Sequence, residues 1–314
     1  MRKMTNRSHV EGFVYQHNLK KAVSGPNSAH PGTEYITGEL EVMTDDAGLN
    51  IVSVHYTYVT ATTSSGKENA AFKVLSDIVD GKLGTVMGNG QDKAAMVRID
   101  TSIGLNDFYS DRSGQEELVS AKRNEGGFIH AVNAVNEDEN TRNTFEADII
   151  ITRVTIKEAD PEKDLPEKAI VKGAIFDFRN AMLPVELSVV NPHAIRYFES
   201  LEASEKNPVF TKVKGRQVSE VIVRKIVEEG AFGEPSVRET KSTRKDWVIT
   251  WAAKEPYEWD SEETITAQEF LKAISDRNTY LATVKQRNDE YKASRNQAPA
   301  AFTTATTGTS EFKF

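Results

Sequence analysis

The chain of 314 residues contains no cysteine. That excludes disulfides, thiolate metal sites and cysteine nucleophiles together, and it suits a reducing compartment such as a cytoplasm, the host's if the source is viral. No run approaches 18 consecutive apolar residues, so no helical membrane span is expected. The first residues, MRKMTNRSHVEG, lack the apolar core of a secretory signal. Also missing are GxxxxGK[ST] for phosphates, HExxH for zinc and GxSxG for a serine nucleophile. The six histidines (His9, His17, His30, His55, His130 and His193) show no helical metal spacing. The expectation is a protein that is not an enzyme, with no cofactor and no metal. Excess positive charge is missing too, since 39 basic residues face 47 acidic ones, for a formal net charge of −8. A uniformly basic nucleic-acid coat is excluded, but a local basic groove is not, because a cleft's own field decides what it attracts.

What the chain does have is β-branched and aromatic residues at period two. Val10 to Tyr15, Tyr35 to Met43 and Ile51 to Val59 read as strands, with Lys20 to Thr33 as a loop between the first two. A short helix follows over Ala70 to Val79, ended by Gly81. Then come the strand in AAMVRIDTSI and a hairpin turned at Asp111-Arg112-Ser113-Gly114. The same succession returns in the second half. Phe145 to Lys157 is a strand, Ala169 to Phe178 and Leu183 to Val190 form a hairpin, and Pro192 to Leu201 is a helix with proline where it is tolerated. Val209 to Glu228 and Arg244 to Ala252 supply the last strands. Three strands, a helix and two strands is the order of an OB-fold, a five-stranded Greek-key barrel. The expected class is therefore mainly β with short helices, two OB-like five-stranded barrels in tandem, a C-terminal helix and a disordered tail. The expected domains are 1–136, 137–260, a helix over 261–292 capped at Thr264, and a tail over 293–314.

Aromatics interleave with cations on this β surface, a combination that single-stranded nucleic acid needs. Bases stack on aromatic faces for about 1–3 kcal/mol each, while cations follow the phosphates. The candidates are Tyr35, His55, Phe108, Tyr109, Lys122 and Arg123 in the first half, and Phe178, Arg179, Lys212, Lys214 and Arg216 in the second. Phe108 and Tyr109 are neighbours, so on a strand they point to opposite faces. Lys212, Lys214 and Arg216 share a face, which a solvated surface explains as well as a DNA-binding one does. Tyr56 and Tyr58 share parity with Val52 and Val54, which favours the core. Trp247, Ile249 and Trp251 also share a face, and at least one tryptophan there should be buried.

The stretch AAMVRIDTSIGLNDFYSDRSGQEELVSA resembles the end of the OB domain in bacterial and phage single-stranded DNA-binding proteins. Upstream, ITGELEV, IVSVHYTYV and the AFKVLSDIVDG helix fit that family's order. The resemblance implies sequence-tolerant binding that coats and protects strands in phage replication or recombination. It gives base stacking to Phe108 or Tyr109 and phosphate contact to Lys122 and Arg123. It also implies that replication or recombination proteins dock on the C-terminal tail, although the acidic end usual in the family is reduced here to Glu311 before Phe314. The alternative reading is a viral structural or assembly accessory protein.

Overall fold

The structure is a computed structural model that describes residues 4–159, 166–228, 236–259 and 264–296, with side chains throughout except at 220–244 and 295–296. Most of the expected tail, 297–314, lies outside the described residues.

The first ring of strands is built from β1 (Asn6–His17), β3 (Glu34–Met43), β4 (Ile51–Thr60), β5 (Met96–Ser110) and β6 (Glu117–Val132). β1 pairs antiparallel with β3, and β3 with β4. β4 runs parallel to β6, β6 antiparallel to β5, and β5 returns to β1. That circuit is the closed Greek key of an OB-fold. An added edge strand, β2 (Lys20–Val23), pairs with β3 inside the segment expected to be a loop. The helix α1 (Ala70–Val79) closes one end of the ring, with Leu75 and Ile78 packed among Val10, Leu40, Val54 and Ile99. Asn69 caps it by accepting the Ala71 N–H at 3.1 Å, and Gly81 ends it with φ +71°. A four-residue helix, α2 (Val86–Asn89), leads into β5.

The second ring repeats the circuit with β7 (Asn143–Lys157), β8 (Lys168–Phe176), β9 (Met182–Val189), β10 (Val209–Glu228) and β11 (Ser236–Ala252). Here too the third and fifth strands, β9 and β11, are the parallel pair. The helix α3 (Pro192–Ser200) takes the place of α1, again behind an asparagine cap, Asn191. Its Ile195 and Phe198 plug a core of Phe145, Ile149, Val171 and Leu187. β11 begins earlier than Arg244, so β10 and β11 form a long two-stranded arm.

β1 also pairs with β7, from Asn6 opposite Ala147 to Val10 opposite Asn143, which joins both rings in one 11-stranded sheet. The long helix α4 (Ala267–Asn296) lies against the outside of the second barrel. Its cap is Thr266 rather than Thr264. The Thr266 hydroxyl accepts the Glu269 N–H at 3.1 Å and the Glu269 carboxylate accepts the Thr266 N–H at 3.0 Å, a reciprocal capping box. Phe270 and Ala273 of α4 bury Ile150, Ala174 and Phe176. This explains the unbroken apolar run in β7: Ile149 and Ile151 face the barrel, and Ile150 faces the helix. Among the described residues no helix is long and apolar enough to cross a membrane.

Candidate nucleic-acid interface

The two barrels meet over a buried polar junction. Asn124 of β6 and Gln217 of β10 form a reciprocal amide pair at 2.8 Å in both directions. Gln217 also donates to Ser8 Oγ at 3.0 Å, and Asn143 donates to the Gln217 carbonyl. Asn50 reaches the same carbonyl at 3.2 Å and accepts the Ser219 N–H at 2.6 Å. Hydrogen bonds between buried amides are directional, so this network fixes how one barrel sits on the other, although the buried Asn143 Oδ1 has no partner among the described residues.

Above that junction lies a groove of about 1210 Å³, floored by the outward residues of the joined sheet. Two irregularities shape its ends. On β6, Gly126 and Gly127 face Thr101 alone, which reverses side-chain parity between the buried Asn124 and the buried Ile129. A Cβ on Gly127 would lie 1.9 Å from the Asp100 carbonyl oxygen, so glycine is required there. The next residue, Phe128, is turned outward and is 75% exposed. On β11, Thr250 is an extra residue between Ile249, opposite Gly215, and Trp251, opposite Lys214. That bulge takes Trp251 off the buried face of Trp247 and Ile249 and leaves it 48% exposed. Phe128 and Trp251 thus hold equivalent places on the fifth strand of each barrel, and both line the groove. Five strand steps separate them in the sheet, a path of about 24 Å.

The floor between them is charged. Lys214 lies over the Trp251 ring at 5.2 Å. Arg216 donates to the Asn140 side chain, while its buried Nε has no partner. Arg7 is exposed and makes no ion pair among the described residues. His9 bonds Asp100 at 2.9 Å and Glu11 at 3.3 Å. Burial alone would raise the Glu11 carboxyl, but hydrogen bonds from Arg98, His9 and the Asn136 N–H outweigh it and hold Glu11 ionised below its ordinary value. Lys212 sits on the same face but between Glu146 at 3.3 Å and Asp148 at 3.8 Å. Burial disfavours its charge, yet those carboxylates raise its pKa. Of the three aligned cations, Lys214 and Arg216 face the groove and Lys212 is neutralised.

The other candidates are dispersed. Tyr35 stacks on Tyr58 at 4.5 Å, and Tyr58 is exposed at the barrel's end where core packing was expected. His55 is half-buried. Burial and the neighbouring Arg123 lower its pKa, so its ring is neutral at pH 7. Arg123 is held by Glu125 at 2.5 Å. Lys122 donates to the Glu186 carbonyl of the second barrel, and burial depresses its pKa against the pull of Asp246 and Glu186. Phe108 is exposed on the outer face of the hairpin. Tyr109, on the opposite face, lies under the Lys285 ammonium of α4 at 5.4 Å. Phe178 and Arg179 stand on the β8–β9 turn, the guanidinium 5.0 Å from the ring centre. Sequence reasoning missed Phe128 and Arg7. It put Trp251 on one face with Trp247 and Ile249 and expected at least one of the tryptophans to be buried, which Trp247 is.

The α4 helix runs along the β5–β6 hairpin. Glu116 accepts from Lys285 at 2.8 Å, Lys292 at 2.8 Å and Asn288 at 2.7 Å. The two ammonium groups pull its carboxyl to about 2 from an ordinary 4.5. A depressed carboxylate stabilises the fold above its unfolded pKa and loses that effect as pH falls through the folded one. Glu116→Gln should therefore speed amide exchange in the last turns of α4 at pH 6. The difference from the parent should shrink between about pH 4.5 and 2 and vanish below. A pH-independent difference would assign the effect to packing.

Comparison with known proteins gives one family and a distant likeness. The YorF family profile matches residues 5–287. No curated protein matches the sequence. Among solved structures, a deletion variant of the single-stranded DNA binding protein from Thermus aquaticus is similar over 84% of this chain and 100% of its own, with TM-score 0.45 and 11% identity. A replication protein A heterotrimer bound to ssDNA is similar over 89% of this chain and 70% of its own, with TM-score 0.21 and 11% identity.

Proposed function

The chain belongs to the YorF family, and we propose that it binds single-stranded DNA, with little regard to sequence, in the groove where its two barrels meet. The observation that carries this reading is the pair of exposed rings, Phe128 and Trp251, one from each barrel, turned by bulges into one groove beside Arg7, Lys214 and Arg216. Ring faces stack on any base, and a duplex keeps its base faces covered. Cations between the rings match the phosphates between stacked bases. The net charge of −8 repels nucleic acid elsewhere, which concentrates attraction in the groove. The role is non-catalytic: coating and protecting strands exposed in phage replication or recombination.

The test is fluorescence anisotropy of labelled oligo-dT, duplex DNA and RNA, titrated with protein at several salt concentrations. Single strands should bind and duplex should bind weakly. If the three groove cations each neutralise one phosphate, log K should fall with log salt at a slope of about −2. Absence of single-strand binding at low salt overturns the reading.

A further inference from the structure

The groove surface continues past Arg7. Arg7 and Ser102 also line a cavity of about 250 Å³ beside Asn6. Ser102, Asp177 and Phe178 then carry the surface into a third cavity of about 550 Å³. Its walls come from β5, the β8–β9 turn and α4. We propose that this third cavity is a separate subsite that takes one unstacked nucleobase of the strand lying in the groove. The proposal rests on the single-strand reading above and assigns α4 a part in binding.

Two rings line the cavity on independent supports. Phe178, 77% exposed, stands on a turn fixed by the Asp177 carboxylate, which accepts the Arg179 and Ala181 N–H groups at 2.8 Å each. Asn180 completes that turn with φ +63°. Tyr280 of α4, 47% exposed, lies 5.4 Å from the Arg277 guanidinium. Arg277 is itself fixed by two bonds to Asp107, at 2.8 and 2.5 Å. Both rings are therefore presented before any ligand arrives, which lowers the ordering cost of binding. The volume suits one small planar ligand.

The charges say which part of a nucleotide enters. Asp177, Asp276 and Glu125 contribute to the lining, so a phosphate is disfavoured inside. Arg179 stands beside Phe178 with no carboxylate partner among the described residues. The arrangement fits a neutral base inserted between rings, its phosphate left at the rim beside Arg179.

The experiment measures affinity for oligo-dT of increasing length, from about 4 to about 32 nucleotides, the range that two OB-folds can cover. The parent should gain affinity once the strand is long enough to leave the groove and reach Phe178. Phe178→Ala should remove that gain, weakening long oligonucleotides by about tenfold and leaving short ones unchanged. Tyr280→Ala should act in the same direction, with circular dichroism checking that α4 remains. Parent-like binding by both variants at every length overturns the subsite and leaves the groove reading standing. Equal losses at all lengths also overturn it, because Phe178 then acts within the groove or on the fold. A parent that binds no single strand at any length overturns the groove reading itself.

Discussion

Replacing Phe128 and Trp251 by alanine should weaken single-strand binding more than any other pair of surface changes in this protein. Each ring removes one stacking platform, about 1–3 kcal/mol, so the double variant should lose about 2–6 kcal/mol. The two sites lie about 24 Å apart along the sheet, so their losses should add. Trp251→Ala should cost the more of the two, because Lys214 rests on that ring and loses its orientation with it. Neither truncation opens the core, since both rings are well exposed. The melting temperature should therefore stay near the parent's while anisotropy titrations with oligo-dT shift. Tyr109→Ala is the control: its ring lies on the hairpin face toward α4 and does not line the groove, so it should change binding little. A double variant that keeps parent affinity would remove the rings, and the groove with them, from the binding role.

Why those rings were hard to find from sequence is a matter of parity. Period-two patterning carried the order of strands, helical spacing with Gly81 and Pro192 carried both barrel helices, and the whole succession could be seen to repeat, but the asparagine caps Asn69 and Asn191 appear only in the structure. Trp247, Ile249 and Trp251 form an unbroken alternation in sequence, and nothing local marks Thr250 as an extra residue. The bulge lies opposite Gly215, where a Cβ would lie 2.2 Å from the Val248 carbonyl oxygen and 2.4 Å from the ring of Phe145, its pairing partner on β7. Gly126-Gly127 lets the strand bend or end, but which of these happens and in what direction depends on the Asp100 backbone beside it. The cations were harder still. Lys122 looks free until Glu186 arrives from the other barrel, and Lys212 until β7 brings Glu146 and Asp148. Asn124 and Gln217 are polar, yet they lie at the buried junction. Such partners are matters of tertiary pairing, which alternation along one strand cannot encode.

Cutting the Arg277–Asp107 pair should damage stability more than any other change to a charged side chain that the structure describes. Both side chains are buried, at 7% and 2% exposure, and their two bonds join α4 to the β5–β6 hairpin. Removing one partner leaves the other charge buried without compensation, a loss of about 3–5 kcal/mol. Asp107→Ala and Arg277→Ala should each approach that figure. The double variant should lose clearly less than their sum, because it leaves no orphan charge. The damage should also be local at first. The start of α4 is held by Phe270 and Ala273 against the second barrel, whereas its later turns depend on Arg277, Lys285 and Lys292. In urea, with Trp251 and Trp259 replaced by Phe so that Trp247 alone reports a barrel core, helical circular dichroism should fall before tryptophan fluorescence, whereas the two transitions of the same background with the pair intact coincide more closely. Coincident transitions in the single variants would mean that α4 and the barrels unfold as one unit. A shift below about 1 kcal/mol would mean that water replaces the lost partner, and the pair would then be no more than a surface contact.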